Sequence, residues 1–118
     1  MTRLRSLLVA ATATLALIVS PLAAAHTQTA KAQTVTVTMT EFKFVFSTTK
    51  IHAGAVTFKL VNKGKLPHNL RIAGKTSVLL GPAKSGKLVV TLKKGKYPYT
   101  CTVPGHVDLG MKGTLAVN

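Results

Sequence analysis

Cysteine occurs once in these 118 residues, at Cys101, and carboxylates occur twice, at Glu41 and Asp108. Exported chains that depend on disulfides carry cysteines in pairs, so no disulfide framework within the molecule is available here. Cys101 is therefore a free thiol, paired between molecules, or a ligand. An exposed thiol outside the cytoplasm is an oxidation liability, which favours the ligand; a buried, inert cysteine is the plain alternative. Two acids far apart exclude a paired-carboxylate hydrolase. No Gly-rich phosphate loop or Ser-His-Asp arrangement is visible, so hydrolysis and phosphoryl transfer fall away. Arginine is scarce as well: beyond Arg3 and Arg5 only Arg71 remains. Arginine-led recognition of bases or phosphates thus lacks its residue, and nucleic acid is not an expected partner. Helical periodicity, internal repeats, linkers and a second domain are all missing.

What is present starts with an export pattern. Arg3 and Arg5 form a basic start, Leu7 to Val19 is a largely apolar run, Pro21 breaks it, and Ala23-Ala24-Ala25 offers a cleavage site. Residues 1–25 read as a signal peptide, which places the protein in the periplasm or outside the cell. Cleavage after Ala25 would make His26 the amino terminus, and Ala30-Lys31-Ala32 offers a later cut. An uncleaved membrane anchor is the alternative, although Thr12, Thr14, Ser20 and Pro21 interrupt the stretch. Removing 25 of the 118 residues leaves 93, a normal size for a small β-domain. The formal charge falls from +14 to +12 with Arg3 and Arg5, and lysine supplies nearly all of it. Such a field favours an acidic protein partner or an anionic envelope surface.

Residues 26–33 have no periodicity and read as a flexible leader, and residues 34–118 as one domain. Thr34 to Met39 alternates polar and apolar residues, a half-buried strand with Val35, Val37 and Met39 on one face. Phe42, Phe44 and Phe46 sit two apart and are expected in the core. Further strands are expected over Ala55 to Val61, Leu66 to Ala73, Gly86 to Leu92, Lys96 to Thr102 and Lys112 to Val117, with Val78-Leu79-Leu80 as a short apolar cover. Seven to eight short strands separated by Gly, Pro and Asn turns predict an all-β fold: a two-sheet antiparallel Greek-key β-sandwich. A small barrel is the alternative, and a monomer is expected.

The chemistry concentrates between Tyr97 and Gly113, where Cys101, His106 and Met111 stand with four residues between successive members. A thiolate, an imidazole and a thioether suit copper, and Leu66-Pro67-His68-Asn69 supplies a second imidazole. His68, Cys101, His106 and Met111 are the candidate ligands of one copper ion. Pro104-Gly105 and Gly110 let the loop turn around it. His26 and His52 have no motif around them, although a free His26 would resemble half of a histidine brace. Val107, Leu109, Pro104 and Gly105 flank His106, so an exposed edge of its ring would emerge from an apolar patch.

The runs Asn62-Lys63-Gly64 to Pro67-His68-Asn69, Tyr99-Thr100-Cys101-Thr102, Pro104-Gly105-His106 and Gly110-Met111-Lys112-Gly113 resemble the cupredoxins, small blue-copper proteins such as plastocyanin, amicyanin and auracyanin. The resemblance covers Thr34 to Asn118. It implies a one-electron carrier rather than an enzyme, with His68, Cys101 and His106 as strong ligands, Met111 as a weak axial one and Asn69 bracing the loop after the cysteine. The acidic docking clusters of plant plastocyanins are missing. Two other functions remain open on the residues alone: an envelope copper carrier or store using the same site, and a metal-free basic sandwich that binds anionic polymer.

Overall fold

Val35, Val37 and Met39 are fully buried while Thr36 and Thr38 between them are half-buried, as period-two alternation requires of a strand with one face on the core. In this computed structural model the described residues are 10–24 and 31–118, so Arg3, Arg5, Ala25 and His26 lie outside them. Residues 10–24 carry no regular element. Among the described residues no helix is long and apolar enough to cross a membrane.

Eight strands follow: β1 (Gln33–Thr40), β2 (Lys43–Phe46), β3 (Gly54–Asn62), β4 (Arg71–Ile72), β5 (Lys75–Thr76), β6 (Ser85–Leu92), β7 (Gly95–Thr100) and β8 (Lys112–Val117). They form two four-stranded sheets in the orders β2-β1-β3-β6 and β5-β4-β7-β8. The fold is an all-β sandwich. One pairing departs from the antiparallel expectation: β1 runs parallel to β3, with Val35 opposite Phe58 and Val37 opposite Leu60. Parallel neighbours need a crossover. Here the chain leaves through β2 and returns along the other sheet, where Ile51 bridges Val117 and Asn118 donates to the Ile51 carbonyl at 2.9 Å. That path also buries Ile51 completely.

The inward faces of both sheets meet in a single core. Val56, Phe58, Leu60, Val90 and Leu92 from one sheet pack with Leu70, Ile72, Leu115 and Val117 around the other. Burying a side chain of this size is worth about 1.5–3 kcal/mol. The three phenylalanines are half-buried rather than central, because Phe44 and Phe46 lie on the edge strand β2 and Phe42 in the turn before it, where they close the flank of the sandwich. Phe44 and Phe46 meet Tyr99 edge-on, at centroid distances of 5.5 and 4.9 Å.

The expected strand over Leu66 to Ala73 forms a continuous ladder only at Arg71–Ile72. Ala73 and Gly74 have φ of 50° and 73° and turn the chain back into β5, the geometry of a tight hairpin. Upstream, Pro67 has no N–H to donate, and His68 makes an isolated two-bond bridge to Leu80, at 3.0 and 2.9 Å. The proposed apolar cover shrinks to Leu80, since Val78 and Leu79 are mostly exposed.

Candidate metal centre

His68 enters the second sheet just before β4, and Cys101 to Met111 form the loop from β7 to β8. Both therefore reach the same end of the sandwich. The loop is closed at its base, where Cys101 N–H donates to the Met111 carbonyl at 3.1 Å, and Met111 N–H donates to the His106 carbonyl at 3.0 Å. Gly105 and Gly110, with φ of 84° and 103°, take left-handed conformations that side chains disfavour.

These constraints bring three donors together. His68, Cys101 and His106 are all buried, and each offers one ligand atom within 4.8 Å of the others. The two Nδ1 atoms face each other at 3.2 Å, and His106 Nδ1 lies 3.5 Å from Cys101 Sγ. One ion with bonds of about 2.0–2.3 Å could be shared by such a cluster. Met111 is fully buried and tied through its backbone to both Cys101 and His106. His106 retains 6% exposure, whereas His68, Cys101 and Met111 have none. Its Nε2 makes no hydrogen bond among the described residues, and no buried side-chain nitrogen or oxygen there is left unpartnered, so Nε2 opens to solvent. Burial, with the neighbouring His68 adding to it, pushes the His106 pKa below its ordinary 6.5.

Asn69 reaches the segment after the cysteine. Its Nδ2 donates to Thr102 Oγ1 at 2.6 Å, and Thr102 N–H donates to its Oδ1 at 2.8 Å. His52 is exposed, and Met39 belongs to the core.

Three neighbours went unrecognised in the sequence. Glu41, in the turn between β1 and β2, receives N–H groups of Lys65 and Leu66 on Oε1 at 2.7 Å each and stands 3.2 Å from His68 Nε2. The Leu66 N–H is the largest influence holding its carboxyl down at about 2 from 4.5; burial opposes it, while the His68 ring and the Lys65 N–H assist. Phe42 stands edge-on to His106, with centroids 5.0 Å apart and planes at 74°. Asn62, wholly buried, donates to the Leu66 and Leu80 carbonyls at 2.8 and 2.9 Å and accepts from Gly64 N–H at 2.8 Å. Only the rarity of acids pointed toward Glu41; nothing in local spacing ties residue 41 to residue 68.

The family profile described as "Cupredoxin-like domain" matches residues 9–117. The chain belongs to this family. No curated protein matches its sequence. Solved cupredoxin structures do match its fold. Auracyanin from Roseiflexus castenholzii, solved dithionite-reduced, is 21% identical with a TM-score of 0.60 over 75% of this chain and 98% of its own. Auracyanin A of Chloroflexus aurantiacus, described as a "blue" copper protein, is 23% identical with a TM-score of 0.60 over 75% and 100%. The blue copper oxidase of Nitrosomonas europaea is 17% identical with a TM-score of 0.59, over 75% of this chain and 39% of that one. At these identities the likeness is one of fold. The donor set of this cupredoxin, two imidazoles and a cysteine sulfur, with buried Met111 at the end of the same loop, is the combination of intermediate softness that suits copper.

Proposed function

We propose that this cupredoxin is an exported carrier of single electrons that holds one copper ion on His68, Cys101, His106 and Met111. The observation that carries the reading is the convergence of both Nδ1 atoms and the Cys101 sulfur in a buried cluster from which only the His106 ring reaches solvent. Copper in such a set supplies a Cu(II)/Cu(I) couple in which thiolate and imidazole suit both oxidation states. The chain's part is to keep the ligands fixed. Asn69 ties the residue after Cys101 to the strand of His68, and the closed loop fixes His106 and Met111, so little must move on electron transfer. Burial of the cluster excludes water, and the His106 edge is the port.

Around that port lie exposed Pro104, Gly105 and Leu109, with Leu66 exposed in the neighbouring loop. An apolar contact of this kind permits close approach, and the surrounding excess of lysine steers an acidic redox partner or an anionic envelope surface toward it. The export pattern of residues 1–25 supports a periplasmic or extracellular location.

Adding Cu(II) to the purified protein should produce an intense visible thiolate-to-copper band that Cys101→Ser abolishes. A parent protein without that band would overturn the reading. Reversible voltammetry with fast self-exchange is expected; ready loss of Cu(I) to an acceptor protein would redirect the function to copper delivery.

A further inference from the structure

The two imidazoles of the centre come from distant segments, yet one dipeptide touches both. Glu41 reaches His68 through Nε2, and Phe42 packs against His106. In a chain with 16 lysines and arginines and 2 acids, a partly exposed carboxylate would ordinarily pair with an ammonium. Glu41 instead directs Oε1 to His68 Nε2, at 3.2 Å, and the same oxygen is anchored by two backbone N–H groups. Room for the carboxylate is made by Gly64: a Cβ built there would collide with Glu41 Oε1 and lie 2.8 Å from Oε2. Oε1 already accepts two backbone N–H groups and so acts as an acceptor, which makes the nitrogen facing it the one that carries the proton.

We propose, resting on the copper reading above, that Glu41 is the positioning residue of the centre: it holds the His68 ring with Nε2–H outward and the Nδ1 lone pair directed at the cluster. A free imidazole divides its proton between two nitrogens and rotates about two bonds; anchoring Nε2 removes both freedoms before any ion arrives. Glu41 also places a negative charge one imidazole away from the ion, which favours the more highly charged oxidation state. Phe42 completes the clamp by limiting the tilt of His106.

Glu41→Leu and Glu41→Gln, made in the full chain, separate this role from plain structural support. In the metal-free parent, nitrogen-15 NMR should show His68 as the Nε2–H tautomer with a slowly exchanging proton. Glu41→Leu should lose that proton to fast exchange and weaken copper binding on the order of 10- to 100-fold. Glu41→Gln keeps an acceptor oxygen, so it should preserve the fold and the tautomer while the reduction potential rises. If Glu41→Leu does not fold, Glu41→Gln alone decides through the potential, which a purely structural residue would leave unmoved. A folded Glu41→Leu with unchanged tautomer and copper affinity, or an unmoved potential in Glu41→Gln, overturns the proposal. A parent protein that gives no thiolate-to-copper band defeats the copper reading instead, and the metal-free NMR result still judges the part played by Glu41.

Discussion

Asn62 at the end of β3 donates through Nδ2 to the carbonyl of Leu80 at 2.9 Å, joining positions 18 residues apart. Leu80 is the residue that bridges His68, so the carboxamide sits one step behind the metal centre. It also closes the Lys63 to Leu66 loop, through Leu66 O and Gly64 N–H. Asn62→Ala removes all three bonds at a fully buried position. Part of the loss is recovered by water at exposed Leu66, so the expected destabilisation is about 2–3 kcal/mol. Thermal unfolding of the metal-free protein should fall by about 10 °C or more. A shift within about 2 °C would show that the loop and the bridge are held by other contacts.

Gly64→Ala tests the packing of the same loop from the opposite side. Its new methyl would meet the Glu41 carboxylate, and the carboxylate cannot retreat without leaving the N–H groups of Lys65 and Leu66. About 1–3 kcal/mol of destabilisation is expected in the parent. In a Glu41→Ala background the collision partner is gone, so Gly64→Ala should cost little there. The coupling in this double-mutant cycle is the measurement; strictly additive losses would mean the methyl clashes with something else.

The depressed Glu41 carboxyl makes a prediction about acid. Its pKa falls from 4.5 to about 2 on folding, so the unfolded chain takes up the proton first as the pH drops. Stability from this group is therefore complete above about pH 4.5 and is lost progressively down to about pH 2. Melting temperatures of metal-free parent and Glu41→Gln should converge across that window. Curves that stay parallel through it would show that the carboxylate is not held in the ionised form.

Local pattern made most of the fold and of the cluster legible. The core faces of β1, β3 and β6 follow from period two, and Cys101, His106 and Met111 are close in sequence because one loop carries them. Strand direction is different: alternation looks the same in either direction, so the parallel β1–β3 pair was hidden. The hairpin at Ala73-Gly74 was hidden as well, because alanine seldom takes positive φ and the run from Leu66 reads as one uninterrupted strand. Glu41, Phe42 and Asn62 act through contacts over distances that no sequence period encodes, and their partners become visible only when both sheets are assembled.

Met111 is held by backbone bonds to Cys101 and His106, and its side chain is fully buried. Leucine has nearly its volume, so Met111→Leu should cost less than about 1.5 kcal/mol in stability. What it removes is the thioether. The visible band arises from the Cys101 thiolate and should persist, since neither that sulfur nor either imidazole changes. A weak fourth donor matters more to Cu(II), which prefers higher coordination, than to Cu(I), which tolerates low coordination. Its loss should therefore raise the reduction potential relative to the parent when both are measured by voltammetry at the same pH. A retained band with an unmoved potential would place the Met111 sulfur outside the copper site and leave His68, Cys101 and His106 to hold the ion alone.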